Sequence, residues 1–135
     1  MSVKQRTLKS EFSLSGKGLH TGKTVTATFK PAEENFGYKI HRVDLEGTPE
    51  IPALAAYIKL MDRASCLEKD GVCVFTMEHA MAALYGCGID NCLIELNGEE
   101  FPILDGSAKY FVEAIEKVGN AQIHLHLDGA GIGGI

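Results

Sequence analysis

Several features that define other classes of protein are missing from this chain of 135 residues. Its net charge is −5, so it lacks the basic excess that is typical of proteins that bind nucleic acid. No apolar run approaches the roughly 18 residues that suggest a membrane span, and the N-terminal residues contain no hydrophobic signal core. We therefore expect a cytoplasmic protein that has no membrane span and does not bind nucleic acid.

A CxxC pair is missing, which argues against a structural zinc knuckle. The four cysteines are Cys66, Cys73, Cys87 and Cys92, and no CxxC pair occurs. Cys73 and Cys92 lie in apolar runs, which predicts small buried side chains. Apolar residues make up 45% of the chain, which is enough for one folded core and more than a disordered chain would hold.

The hydrophobic pattern predicts strands interleaved with two helices, as in an α/β or α+β domain. The clearest strand is 24–29, where Val25, Ala27 and Phe29 alternate with threonines. The acidic stretch 44–70 contains Pro49 and Pro52 and is predicted to be a loop or a small subdomain. The other predicted strands are 9–15, 38–43, 72–75 and 91–97.

Two segments have apolar residues at helical spacing. The first runs from Met77 to Tyr85, with Thr76 as its predicted cap and Gly86 at its end. The second covers 105–118, with Asp105 or Ser107 as cap and Gly119 at its end. After Gly119 the composition changes, so the chain is divided into a domain over 1–119 and a strand-like, then glycine-rich tail over 120–135.

Glu78 and His79 form the most informative pair of polar residues. Both are predicted in the first turn of a helix and off its apolar face. A catalytic zinc takes imidazole, carboxylate or thiolate ligands, and a nearby carboxylate that is not a ligand can accept a proton from water. A structural alternative makes Glu78 an acid that favours the helix start and His79 a lone polar residue.

The turn GKGLHTGK at 16–23 contains His20 between two lysines. Backbone amides in such glycine-rich turns can bind an anion, and Lys17 and Lys23 would add positive charge. The segment does not match a Walker phosphate loop, which would open a helix, whereas a strand follows here. The alternative is a hairpin turn with an exposed histidine.

A third group of candidate ligands lies in the tail. His124, His126 and Asp128 would share one face if residues 122–128 form a strand. A His-x-His pair can chelate a metal ion, and the alternative is an ordinary amphipathic edge strand.

Three segments together resemble one family. They are RTLKSEFSLSGKGLHTGK at 6–23, TMEHAMAALYGCGIDN at 76–91 and FPILDGSAKYFVEAIEKVG at 101–119. In this order and spacing they resemble the N-terminal half of UDP-3-O-acyl-N-acetylglucosamine deacetylase, the zinc amidase of bacterial lipid A synthesis. The resemblance covers about residues 4–119.

The resemblance implies a fold and a set of site residues. It implies an α+β domain with two layers, a sheet and two helices, which forms one half of a sandwich of two domains. His79 would be a zinc ligand and Glu78 the general base. Leu19, His20 and Lys23 would contact the UDP-sugar substrate, while Asp105 is expected to cap a helix rather than to catalyse.

In the family the second domain supplies the other zinc ligands through an HxxxD helix. His124 and Asp128 reproduce this spacing, but the glycines that follow do not favour a helix. Three hypotheses therefore stay open. The chain is the N-terminal domain of a zinc deacetylase that is inactive alone, or a non-catalytic domain that self-associates in place of a missing C-terminal domain, or a metal-sequestering protein that uses His79, His124 and His126.

Overall fold

The computed structural model describes residues 4–61, 65–125 and 132–133. Within these ranges the fold combines β-strands with two α-helices, which confirms the predicted α+β class. The helices are α1 (Glu78–Gly86) and α2 (Lys109–Val118), and a 3-10 turn covers Ala55–Tyr57. The strands are β1 (Arg6–Leu8), β2 (Phe12–Lys17), β3 (Thr24–Pro31), β4 (Tyr38–Arg42), β5 (Glu50–Pro52), β6 (Ile58–Leu60), β7 (Ser65–Lys69), β8 (Val72–Phe75), β9 (Cys92–Leu96), β10 (Asn120–Gln122), β11 (His124–Leu125) and β12 (Ile132–Gly133).

A five-stranded sheet in the order β2-β3-β9-β4-β5 forms the centre of the fold. All its pairings are antiparallel except that of β4 with β9, which is parallel. Strand β3 confirms the alternation seen in the sequence, since Val25, Ala27 and Phe29 are buried. On the opposite face of β2 and β3, hydroxyl groups pair across the strands, for example Ser15 with Thr26.

The two helices cover the apolar face of this sheet. Phe29 connects the layers, because its ring stacks on Phe12 at 4.7 Å between centroids and meets the α2 residue Phe111 at 6.0 Å. Helix α2 also buries Ile115, and α1 buries Leu84. The helical spacing in the sequence therefore identified residues that face the core.

The stretch 44–70 contains regular structure that the loop prediction missed. Strand β5 extends the central sheet beside β4, while β6 and β7 join β8 in a separate three-stranded antiparallel sheet. Pro52 ends β5 at the sheet edge, where a missing N–H is tolerated. Strands β6, β7 and β8 form a sheet of their own, but Leu67 and Val74 of this sheet pack in the common core.

The predicted helix ends need correction. Thr76 does not cap α1, whose N-cap is Met77 without a side-chain hydrogen bond, whereas Gly86 is the last residue of the helix, at the predicted end. Similarly, the N-cap of α2 is Ala108, so neither Asp105 nor Ser107 occupies that position. Asp105 instead accepts hydrogen bonds from the amide (3.0 Å) and hydroxyl (2.8 Å) of Ser107 in the turn before α2.

The N-terminal strand β1 pairs with the strand that directly follows α2. Strand β10 pairs with β1 in antiparallel register, and the amide of Ile123 donates to the carbonyl of Gln5 at 2.9 Å. The proposed division after Gly119 stays a prediction. No helix in the part of the chain that the structure describes has both the length and the apolarity needed to cross a membrane.

Candidate functional site

The turn that carries His20 connects β2 to β3 and closes on itself. The amide of Gly18 donates to the carbonyl of Lys23 at 2.9 Å, and the amide of Gly22 donates to the carbonyl of Gly18 at 3.0 Å. Gly22 has φ +68°, a conformation that favours glycine. His20 and Lys23 are exposed, and Leu19 retains 60% of its accessible surface. The predicted hairpin turn with an exposed histidine is therefore present, and its three predicted substrate-binding residues face solvent.

Glu100 anchors this turn to the rest of the domain. The side chain is only 2% exposed, and its carboxylate accepts hydrogen bonds from the amides of His20 (3.1 Å) and Thr21 (2.8 Å) and from the Thr21 hydroxyl (2.8 Å). Burial alone would raise the pKa of Glu100, but the hydrogen bonds from Thr21 and His20 outweigh it and lower the pKa below 4.5. The buried group is therefore an ionised carboxylate that the turn solvates.

A strained junction links β8 to α1. Thr76 has φ +61°, which is unusual for a β-branched residue, and its hydroxyl lies 3.5 Å from the second carboxylate oxygen of Glu100. Backbone strain of this kind costs of order 1–3 kcal/mol and persists only where the surroundings fix it. Here Phe75 fixes it, since the Phe75 amide donates to Glu99 (2.8 Å) and the Phe75 carbonyl accepts from Phe101 (3.0 Å).

Glu78 and His79 follow this junction directly. Glu78 is the first residue of α1 and is exposed, and His79 is half-buried. The hydroxyl of Ser65, at the start of β7, donates to Glu78 at 3.4 Å. The His20 ring packs edge-on against Phe75, three residues before Glu78, with 5.9 Å between ring centroids. The turn thus meets the junction that precedes α1 at Phe75, Thr76 and Glu100.

The described residues do not include a complete set of metal ligands. A catalytic zinc takes three protein ligands, and no group of three His, Cys, Asp or Glu residues close enough to hold a metal ion occurs within 4–61, 65–125 and 132–133. His79 offers one imidazole and Glu78 one carboxylate. The residue chemistry therefore fits a contribution of one ligand and one base, and any further ligands would have to come from elsewhere.

Of the three candidate ligands in the tail, His124 is the one that lies within the described residues. The backbone of His124 lies in β11, which pairs with β12. His126 and Asp128 lie outside the described residues, so the metal role predicted for His124 and Asp128 stays a prediction.

Two cysteines differ in environment. Cys92 is fully buried, as predicted, and burial raises its pKa to about 12. Cys73 is only half-buried, which corrects the prediction of a buried side chain. Its thiol donates to Glu68 at 3.0 Å, and this hydrogen bond together with desolvation raises its pKa to about 12.

Sequence reasoning missed Glu100, because its role depends on contacts with residues about 80 positions away. One signal was present in the sequence. Glu100 directly precedes Phe101, which is fully buried, so an acidic residue adjoins an apolar segment. Acidic residues are seldom buried unless they are paired, so an acidic residue beside a buried apolar one predicts hydrogen-bond donors nearby.

The sequence of the chain matches one known family over most of its length. Residues 5–127 match the family model described as LpxC, UDP-3-O-acyl N-acetylglycosamine deacetylase. This match covers most of the 135 residues. The chain belongs to the LpxC family. The resemblance inferred from the segments 6–23, 76–91 and 101–119 is thereby confirmed.

Named members of the LpxC family share much of this sequence. The chain is 61% identical over 120 residues to the bifunctional enzyme LpxC/FabZ of Bacteroides thetaiotaomicron, a match that covers 89% of this chain and 26% of that protein. It is 48% identical over 115 residues to the UDP-3-O-acyl-N-acetylglucosamine deacetylase of Geobacter sp. strain M21, covering 85% of this chain and 38% of that protein. The chain thus spans about a quarter to two fifths of the relatives it matches.

Proposed function

We propose that this chain is the N-terminal domain of a zinc-dependent deacetylase that removes the N-acetyl group from UDP-3-O-acyl-N-acetylglucosamine in lipid A synthesis. The observation that carries this proposal is the convergence of the His20 turn and the start of α1 at Phe75, Thr76 and Glu100. It supports the proposal because the turn packs against Phe75, close in sequence to Glu78 and His79. A cytoplasmic location stays a prediction.

In this proposal each residue has one task. Glu78, exposed at the first turn of α1, accepts a proton from the attacking water, and His79 supplies one ligand to zinc. Zinc, when bound, would polarise the acetyl carbonyl and favour the nucleophilic form of water. Leu19, His20 and Lys23 contact the UDP-sugar, with Lys23 supplying positive charge toward the diphosphate.

The proposal includes inactivity of the 135-residue chain on its own. A single imidazole cannot hold a catalytic zinc in place, and the residues that the structure describes offer no group of three ligands. The remaining ligands would come from a further domain of the kind that the longer relatives have room for.

A graft tests the proposed function. In the Bacteroides thetaiotaomicron relative, the matched 120 residues are replaced by the corresponding residues of this chain, and acetate release from UDP-3-O-acyl-N-acetylglucosamine is measured. We expect the grafted enzyme to release acetate and the isolated chain to release none. A well-folded grafted enzyme without activity, beside an active parent, would contradict the proposal.

The non-catalytic alternative also has one observation in its favour. Four apolar side chains on or next to β6 are 46–83% exposed: Leu54, Ile58, Leu60 and Met61. Exposed apolar patches of this kind often mark interaction surfaces. If the chain self-associates through this patch, sedimentation equilibrium will give a dimer mass that Leu60→Ser lowers toward the monomer. The control Val43→Ser, at an exposed residue after β4, should leave the dimer mass unchanged.

A further inference from the structure

We propose that Glu100 is a positioning residue that fixes the turn carrying His20 to the junction from which Glu78 and His79 extend. The inference deepens the proposed function and rests on it for the role of the turn in substrate binding. The anchoring itself rests only on contacts within this chain.

Hydrogen bonds of the neighbouring residues hold the backbone at Glu100 in place. The residues on either side of it, Glu99 and Phe101, exchange backbone hydrogen bonds with Phe75 at 2.8 and 3.0 Å. Phe75 is the last residue of β8, directly before the strained Thr76. The backbone of Glu100 is therefore held beside the junction, while its side chain reaches the turn.

The donors around Glu100 require a carboxylate. One oxygen accepts from the Thr21 amide and hydroxyl and from the His20 amide, and the other accepts from the His20 amide and faces the Thr76 hydroxyl. The two backbone amides can only donate, and the His20 amide lies 3.1 Å from both oxygens. A glutamine has the same shape but only one accepting oxygen, so its amide nitrogen would face a donor in either orientation.

Gly18 shows that the turn is shaped around this carboxylate. A Cβ placed on Gly18 would lie 1.9 Å from a carboxylate oxygen of Glu100, and its three nearest atoms all belong to that side chain. Gly18 has no positive φ, so the need for glycine comes from the close approach of Glu100 and not from the backbone conformation.

Amide hydrogen exchange of the 135-residue chain tests the anchoring without any need for activity. In Glu100→Gln we expect exchange at His20 and Thr21 to accelerate at least about tenfold, while Ile94 in β9 changes less than about twofold. The matched control is Glu113→Gln, at an exposed glutamate of α2, which should leave all three amides unchanged. Unchanged exchange at His20 and Thr21, or equal acceleration at Ile94, would overturn the proposal.

Gly18→Ala provides a second test that keeps Glu100 in place. The added methyl group must displace the carboxylate, so the His20 and Thr21 amides should again exchange about tenfold faster. In the Glu100→Ala background the same methyl group has room, and its effect should fall below about twofold. Equal effects of Gly18→Ala in the two backgrounds would overturn the proposal. Gly18→Ala alone decides the matter if the Glu100 variants do not fold, because acceleration confined to the turn supports anchoring and its absence refutes it.

Kinetics of the grafted enzyme separate this inference from the proposed function. Glu100→Gln should raise KM at least about fivefold with kcat changed less than about twofold, because the turn binds substrate and Glu78 is untouched. A merely unstable variant would lose kcat through a smaller active fraction. Faster exchange with an unchanged KM would refute the substrate role of the His20 turn under the proposed function, while the anchoring by Glu100 would stand.

Discussion

The central sheet and the junction between β8 and α1 are stabilised by different kinds of interaction. Phe29 of the sheet is fully buried, and aromatic rings from β2, the segment at Phe101 and α2 meet there. At Glu100 a buried carboxylate collects amide and hydroxyl donors beside a strained Thr76. Apolar packing is not directional, whereas each hydrogen bond at the junction specifies a position. We therefore expect the sheet to contribute most of the stability of the domain, and the junction to fix the position of the His20 turn relative to the residues before α1.

This division predicts that substitutions in the two regions will change different observables. Changes at the sheet should lower the free energy of unfolding and leave the chemistry of correctly folded molecules intact. Changes at the junction should alter catalysis or local order more than global stability.

The largest effect is expected at Glu78. Glu78→Gln in the grafted enzyme should lower kcat by about 10²–10⁴-fold, the usual contribution of a general base. Because Glu78 is exposed at the helix start, the variant should unfold within about 0.5 kcal/mol of the parent. Steady-state kinetics and urea denaturation check the two statements. The control is Glu113→Gln, and a kcat for Glu78→Gln within twofold of that control would refute the assignment.

Phe29 should show the opposite behaviour. Phe29→Ala removes a fully buried ring that contacts three other aromatic rings, and it should lower the free energy of unfolding by about 3–5 kcal/mol. Urea denaturation of the 135-residue chain measures the loss. The exposed Tyr110→Ala on α2 is the matched control, with an expected loss below about 1 kcal/mol. Equal losses in both variants would contradict the picture of a central apolar core.

The smallest effect is expected in the acid dependence of stability. The folded pKa of Glu100 lies below its ordinary 4.5, so its stabilising contribution is present above that value and is lost as the pH falls through the folded pKa. Between about pH 5 and pH 3, Glu100→Gln should therefore lose less stability than the parent, by about 1 kcal/mol or less. Urea denaturation across this range, with Glu113→Gln as control, makes the comparison. A steeper loss in Glu100→Gln would contradict the sign.

Sequence patterns predicted the sheet better than the junction, for a physical reason. Alternation in β3 and helical spacing in 105–118 are local consequences of burial on one face, so the strand that buries Phe29 and the helix that buries Phe111 were predicted correctly. Strands β5, β6 and β7 were missed because each has only three to five residues, too few to show a clear alternation, and the prolines in the stretch suggested a loop.

The junction depends on pairings that no local pattern encodes. Thr76 looked like a helix cap, since threonine is common at that position, but its hydroxyl turns toward Glu100 instead. Glu78 and His79 were found through their chemistry and through the family resemblance, whereas Glu100 became visible only when the fold brought the His20 turn beside it.

Zinc content tests the central claim most directly, namely that the start of α1 contributes a metal ligand to a site completed elsewhere. Elemental analysis would compare the grafted enzyme with its His79→Ala variant and with His41→Ala, a histidine of β4 that pairs with Glu50 at 2.9 Å. The account predicts about one zinc per chain in the parent and in His41→Ala, and a loss of most of it in His79→Ala. Full zinc occupancy in His79→Ala would contradict the account.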